Sequence, residues 1–115
     1  MQGVEDLLNV LAHSPESIEF SDVMAVIDSE YHYSPVAFCC GEADNDAGTN
    51  EGSCKILAFA KMHGLAETAT VQLFGRYYRE DVLQNPEGTD HANIRNFMVH
   101  GWQGVSFESA PLSAK

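Results

Sequence analysis

Basic residues are scarce. The 115-residue chain carries six Lys and Arg against 17 Asp and Glu, a formal net charge of −11. None of the six lies in residues 1–54, where Glu5, Asp6, Glu16, Glu19, Asp22, Asp28, Glu30, Glu42, Asp44, Asp46 and Glu51 are all negative. Beyond residue 54 acids and bases balance, so the whole excess sits in the first half. Nucleic-acid binding depends on clustered cations that neutralise phosphates, so no nucleic-acid partner is expected. The acidic half reads first as a solubilising face, and second as a docking face for a basic protein or a cation.

Long apolar runs are missing as well. Nothing approaches the roughly 18 consecutive hydrophobic residues of a membrane span, so no membrane partner is expected. The start, MQGVEDLLNV, has two acids and no base, unlike the leading region of a secretory signal. Cysteine is sparse: Cys39, Cys40 and Cys54 are odd in number and two are adjacent, which does not build a disulfide framework. Reduced thiols in a bacterial cytoplasm are therefore expected. The five histidines show no HxxxH or HExxH spacing and the cysteines no CxxC, so neither a metal nor a cofactor is expected. No repeat or linker divides the chain, and the expectation is a monomer with one domain over 1–107 and a disordered tail over 108–115.

What is present is a strong alternation of helical and extended patterns. Val4, Leu7, Leu8 and Leu11 share one helical face, and Ser14-Pro15 ends that helix. A second helix is expected after Ser21 as N-cap, with Val23, Val26, Ile27 and Tyr31 as its stripe. From Tyr31 to Cys40 the beat becomes β, with Pro35 requiring an edge position or a break. The stretch the chain is built around is Asp44–Gly64, where a polar loop runs into the most apolar helix. Asn50 is the expected N-cap there, Glu51 suits the dipole, and Gly64 supplies a left-handed stop. Leu65–Leu83 reads as one long helix bent at Gly75. After Asn85-Pro86-Glu87-Gly88, Asp90 is expected to cap a last helix, His91–His100, that buries Ile94, Phe97 and Met98. Val105 and Phe107 alternate as a short strand to pair with Tyr31–Cys40. The fold class is α+β: a single α-rich domain of about five helices with a small antiparallel sheet.

Three constellations could carry chemistry. The loop from Asp44 to Glu51 resembles a calcium loop at first sight, but position 5 is Gly48, position 6 is Thr49 and position 12 is Lys55, which breaks the EF-hand rule three times. A turn-and-cap loop is the reading. Cys54, in or just after the first turn of the central helix, is placed where the dipole lowers a thiol's pKa, and His91 is the candidate base for a Cys-His hydrolase or transferase. The competing reading is a small buried cysteine in the core. His63 and His100 each precede a glycine in a last helical turn, where capping is expected. His91, Asn93, Arg95 and Trp102, approached by Tyr77, Tyr78 and Arg79, form the densest polar-aromatic cluster. It fits a pocket for a small anion, or an Arg95 that pairs with Glu51 or Asp90 and orders loops.

These residues also carry a resemblance. Asn50-Glu51-Gly52-Ser53-Cys54-Lys55, Phe74-Gly75, Tyr78-Arg79, Val82-Leu83 with Pro86, and His91-Ala92-Asn93-Ile94-Arg95-Asn96-Phe97-Met98 with Gly101-Trp102 are similar to the HopJ family, over about Glu5 to Phe107. One departure is Cys39-Cys40, where the family has an asparagine before Gly41. The resemblance implies a small proteobacterial protein in a family named after a type III secretion effector of plant pathogens, without implying a mechanism. A translocated effector acting on a host protein is thus one alternative. Type III signals are serine-rich and unstructured, whereas Val4–Leu11 reads as a regular helix, which argues against dedicated secretion. The leading expectation is a binding domain for a small molecule or a protein, using a groove between the Gly48–Cys54 loop and the last helix. Its candidate residues are Asn50, Glu51, Ser53, Tyr78, Arg79, His91, Asn93, Arg95 and Trp102.

Overall fold

The computed structural model describes residues 3–115, so the first two residues of the expected 1–107 domain lie outside it. The order is α1 (Val4–His13), a 3-10 turn (Pro15–Ser17), α2 (Phe20–Glu30), β1 (Tyr31–Tyr33), β2 (Phe38–Cys40), β3 (Ala43–Asn45), α3 (Glu51–Met62), α4 (Glu67–Gln72), a π-helical turn (Tyr77–Val82), α5 (Ala92–His100), a second 3-10 turn (Gly101–Gly104), β4 (Val105–Phe107) and β5 (Leu112–Ala114). The α-rich α+β class holds.

The central post is α3. Cys54 and Ile56 to Ala60 are all buried, because the apolar residues of this helix occupy nearly its whole circumference. Against one side pack α2 and α4, on which α1 rests in turn, and Leu7, Leu11, Val23, Ile27 and Leu73 join the larger core there. Against the other pack β2, α5 and β4, with Val36, Phe38, Cys40, Leu57, Phe97 and Val105 in a second, smaller core. Lys55 escapes the core to pair with Asp28 on α2 at 2.8 Å.

The extended stretch is broken around Pro35, and the break separates two sheets. Beyond it, β2 is the middle strand of an antiparallel three-stranded sheet ordered β3-β2-β4, in which Phe38 faces Phe107. Before it, β1 pairs instead with β5: Tyr31 opposite Ala114 and Tyr33 opposite Leu112. Residues 108–115, expected to be disordered, therefore include a paired strand. Leu112 is buried and the Lys115 ammonium donates to the Asp28 carbonyl, contacts that a polar-tail reading did not register.

Three boundaries and one buried face differ from expectation. First, α2 begins at Phe20 rather than after Ser21, with Glu19 as the N-cap residue, because the Phe20 ring is packed against Gly52 of α3. Second, the expected long helix 65–83 is interrupted, not bent. Gly75 has φ +62 and sits against the backbone of Ile18 and Phe20, leaving no room for a side chain. The chain resumes as the π-helical turn, and Arg79 donates to the Pro15 and Ile18 carbonyls at 3.2 and 2.6 Å, tying that turn to the α1–α2 connection. Third, α5 begins after His91, not after Asp90. Fourth, Met98 is 46% exposed, and buried Asn93 takes part in the interior face of α5 beside Ile94 and Phe97.

Candidate functional site

Two helix starts converge on one groove. Both α3 and α5 are entered through a non-glycine residue in the left-handed region, Asn50 (φ 49) and His91 (φ 51), and neither start has a side-chain cap. Asparagine and histidine are among the residues that best tolerate this conformation. Asn50 therefore occupies the expected N-cap position without the expected capping bond: its amide donates to Asn45 Oδ1 at 2.7 Å. Asp90 likewise does not cap α5, because its carboxylate is engaged by Arg95.

Asn45 and Asn93 are locked face to face. Each side-chain amide donates to the other's carbonyl oxygen, at 2.9 and 3.0 Å, and both residues are buried. Asn45 also donates to the Phe38 carbonyl, so the pair staples β3 to α5 and sets the distance between the two helix starts. A buried amide left unpaired would cost about 1–3 kcal/mol, so this reciprocal arrangement resists rearrangement. Next to it, Cys40 directs its thiol to the Asn93 carbonyl at 3.3 Å.

The groove has a volume of about 540 Å³. Asp44, Asn45, Asn50, Ser53, His91 and Asn93 supply its polar lining, and Phe20, Phe74 and Tyr77 an aromatic wall. The Tyr77 ring lies 5.0 Å from the His91 ring and receives Phe20 edge-on at 5.0 Å. His91 donates from Nε2 to Asp81 Oδ2 at 2.9 Å, and Asp90 Oδ2 lies 3.8 Å from the same nitrogen.

Of the nominated residues, Asn50, Ser53, His91 and Asn93 line this groove together. The other five do not line it. Arg95 is a loop brace: it donates to the Asn85 and Asp90 carbonyls at 2.8 and 2.6 Å and pairs with Asp90 Oδ1 at 2.6 Å, holding that carboxyl below the usual aspartate range. Asp90, rather than Glu51, is thus the ordering partner. Exposed Glu51 interacts with Tyr33, whose hydroxyl is pushed up chiefly by burial. Arg79 is committed to the α1–α2 connection, and Tyr78 lines a separate hollow with Val71 and Phe97. Trp102 donates its indole N–H to the Leu65 carbonyl at 2.9 Å and meets Phe97 edge-on, which is a packing role. His63 hydrogen-bonds the Tyr31 hydroxyl at 2.8 Å instead of a helix-end carbonyl.

The Cys54–His91 pairing meets an unfavourable environment. Cys54 is 1% exposed, and burial pushes its thiol up to about 11, the reverse of what nucleophilic activation requires. Its neighbour is Tyr33, while His91 is oriented by Asp81.

Sequence reasoning missed Phe20, Asn45 and Phe74, while Tyr77 does approach His91 as expected. Three asparagines spaced around two helix starts were the available signal for Asn45. Phe20 and Phe74 had none, since they come from α2 and from the interrupted 65–83 segment.

The HopJ type III effector protein family matches residues 4–112. The chain belongs to the HopJ family. A crystal structure of the unknown-function protein VPA0580 is 52% identical and superposes with a TM-score of 0.97, covering 100% of this chain and 97% of that one. No curated protein matches. Among the described residues no helix is long and apolar enough to cross a membrane.

Proposed function

We propose that this HopJ-family chain is a non-enzymatic binding domain whose ligand is a small molecule with a polar edge and a flat apolar body. The observation that carries the reading is the groove in which fixed amides face an aromatic wall. Its volume of about 540 Å³ is that of a small-molecule site, since such sites span about 300–1,000 Å³. The Asn45–Asn93 pair keeps the polar lining in place before any ligand arrives, so little ordering entropy would be lost on binding. Tyr77, 41% exposed and laid beside His91, offers a ring face to stack on. The thiol buried at Cys54 argues against turnover by a Cys54 nucleophile.

The test is a metabolite-mixture screen by ligand-observed NMR on chelator-treated protein, followed by amide shift mapping. Binders should perturb Gly52, Ser53, Ala92 and Asn93, and Ser53→Leu, which projects bulk into the groove, should abolish binding. Binders that instead perturb the apolar cleft of Met62, Phe107 and Leu112, or that ignore Ser53→Leu, overturn the reading.

A further inference from the structure

Asp81, Asp90 and His91 stand at the edge of the groove, and each offers one ligand atom within 4.8 Å of the other two. Their sequence spacing matches no metal motif, because the first comes from the π-helical turn and the others from the entry to α5. His91 Nε2 is 2.9 Å from Asp81 Oδ2 and 3.8 Å from Asp90 Oδ2. Three atoms so spaced share a centre about 2.4 Å or less from each, close to the roughly 2.0–2.2 Å of zinc–nitrogen and zinc–oxygen bonds.

We propose that Asp81, Asp90 and His91 form a binding site for a divalent transition-metal ion of the zinc type, with its remaining coordination positions open. One imidazole nitrogen with two carboxylate oxygens suits zinc or cobalt better than magnesium or calcium, which take oxygen ligands. The outer contacts of the three residues fit the role. Arg95 holds Asp90 by Oδ1 and leaves Oδ2 as the oxygen turned to His91. The same guanidinium donates to the Asp81 carbonyl at 3.4 Å, bracing the backbone of the second carboxylate. Tyr77 packs on the His91 ring and fixes its plane. Outer partners that aim a ligand in this way are the usual support of a metal site. Binding replaces one hydrogen bond: the neutral imidazole moves its proton from Nε2 to Nδ1, and Nε2 turns its lone pair to the ion. The nearby Arg95 charge opposes the cation, so the site should be weaker than a closed structural zinc site. Because His91 also lines the groove, an ion here would stand at its rim.

Isothermal titration of the chelator-treated full chain with Zn²⁺ tests this, with Co²⁺ absorption as a spectroscopic readout of coordination. The expected result is one-to-one binding with Kd at or below about 10 µM, and a visible Co²⁺ band that Zn²⁺ abolishes and a large excess of Mg²⁺ does not. His91→Asn keeps a residue that accepts positive φ and should weaken binding by on the order of 100-fold; Asp81→Asn should weaken it by at least about tenfold. His13→Asn and Cys39→Ser, at sites outside the cluster, should leave it unchanged, and circular dichroism confirms the fold of each variant. Millimolar binding, or folded His91→Asn that still binds one ion, overturns the proposal. Since the small-molecule screen uses chelated protein, its outcome and this one are independent.

Discussion

Replacing Gly75 by alanine should destabilise the protein far more than replacing Gly64, although the two glycines have nearly the same backbone conformation, φ +62 and +63. An alanine in that region costs about 1–2 kcal/mol at either site. The difference lies in the surroundings. A Cβ at Gly64 would meet nothing within 4 Å, whereas at Gly75 it would lie 2.8 Å from the Phe20 nitrogen and 3.2 Å from the Ile18 oxygen. Those are backbone atoms, and Arg79 anchors the Ile18 carbonyl among them, so relief requires moving the α1–α2 connection, and forced overpacking of this kind adds about 1–3 kcal/mol. Gly64→Ala should therefore cost about 1–2 kcal/mol and Gly75→Ala about 2–5 kcal/mol. For a chain of this length each kcal/mol lowers Tm by roughly 4 °C, which thermal unfolding followed by circular dichroism resolves easily. Gly75→Asn separates the two contributions: asparagine tolerates the dihedral, so a loss close to that of alanine isolates the steric part. Equal melting temperatures for Gly64→Ala and Gly75→Ala would refute the claim that close backbone approach, rather than the dihedral alone, interrupts the 65–83 segment.

Two pH-dependent outcomes follow from the side chains around the groove. Cys54, with its thiol pushed up to about 11 by burial, should resist iodoacetamide at pH 7–8 in the native state, with labelling confined to half-buried Cys39; mass spectrometry of tryptic peptides reads this, and rapid native labelling of Cys54 would contradict the assigned core role. Asp90 is held below its ordinary pKa, first by the hydrogen bond from Arg95, so its contribution is present above the unfolded-state value of about 3.9 and disappears as pH falls through the lowered folded value. Asp90→Asn should accordingly lower stability at neutral pH, and urea titrations of variant and parent should converge in strong acid; a gap that stays constant down to acid pH would show that the ion pair is not its source.

Much of the architecture was legible because it rests on local periodicity. The apolar run after Asn50 could only be a buried helix, Val4–Leu11 could only be one-sided, and Pro35 had to break a strand. The break was readable, but its consequence was not: which partner each half takes depends on β4 and β5, more than sixty residues away. The same limit governs the site. Asn50, Ser53, His91 and Asn93 were found because polar residues at helix starts stand out in a sequence, whereas Phe20 and Phe74 look like ordinary packing residues until two chain segments meet. Arginine was the least legible residue type. Its guanidinium is equally suited to an anion, a carboxylate or a row of carbonyls; the Arg95–Asp90 pair was among the readings, but only the fold shows Arg79 committed to the Pro15 and Ile18 carbonyls.

By itself the sequence determined the helical content, the buried central post, the segregation of negative charge into the first half, and membership of a family. Tertiary structure alone decided that the terminal strand closes a second sheet, that Gly75 cuts a helix in two, and that Asp81 reaches His91. The reason is physical. Periodicity and capping act over one or two turns, while register and side-chain pairing are chosen by which distant surfaces bury each other.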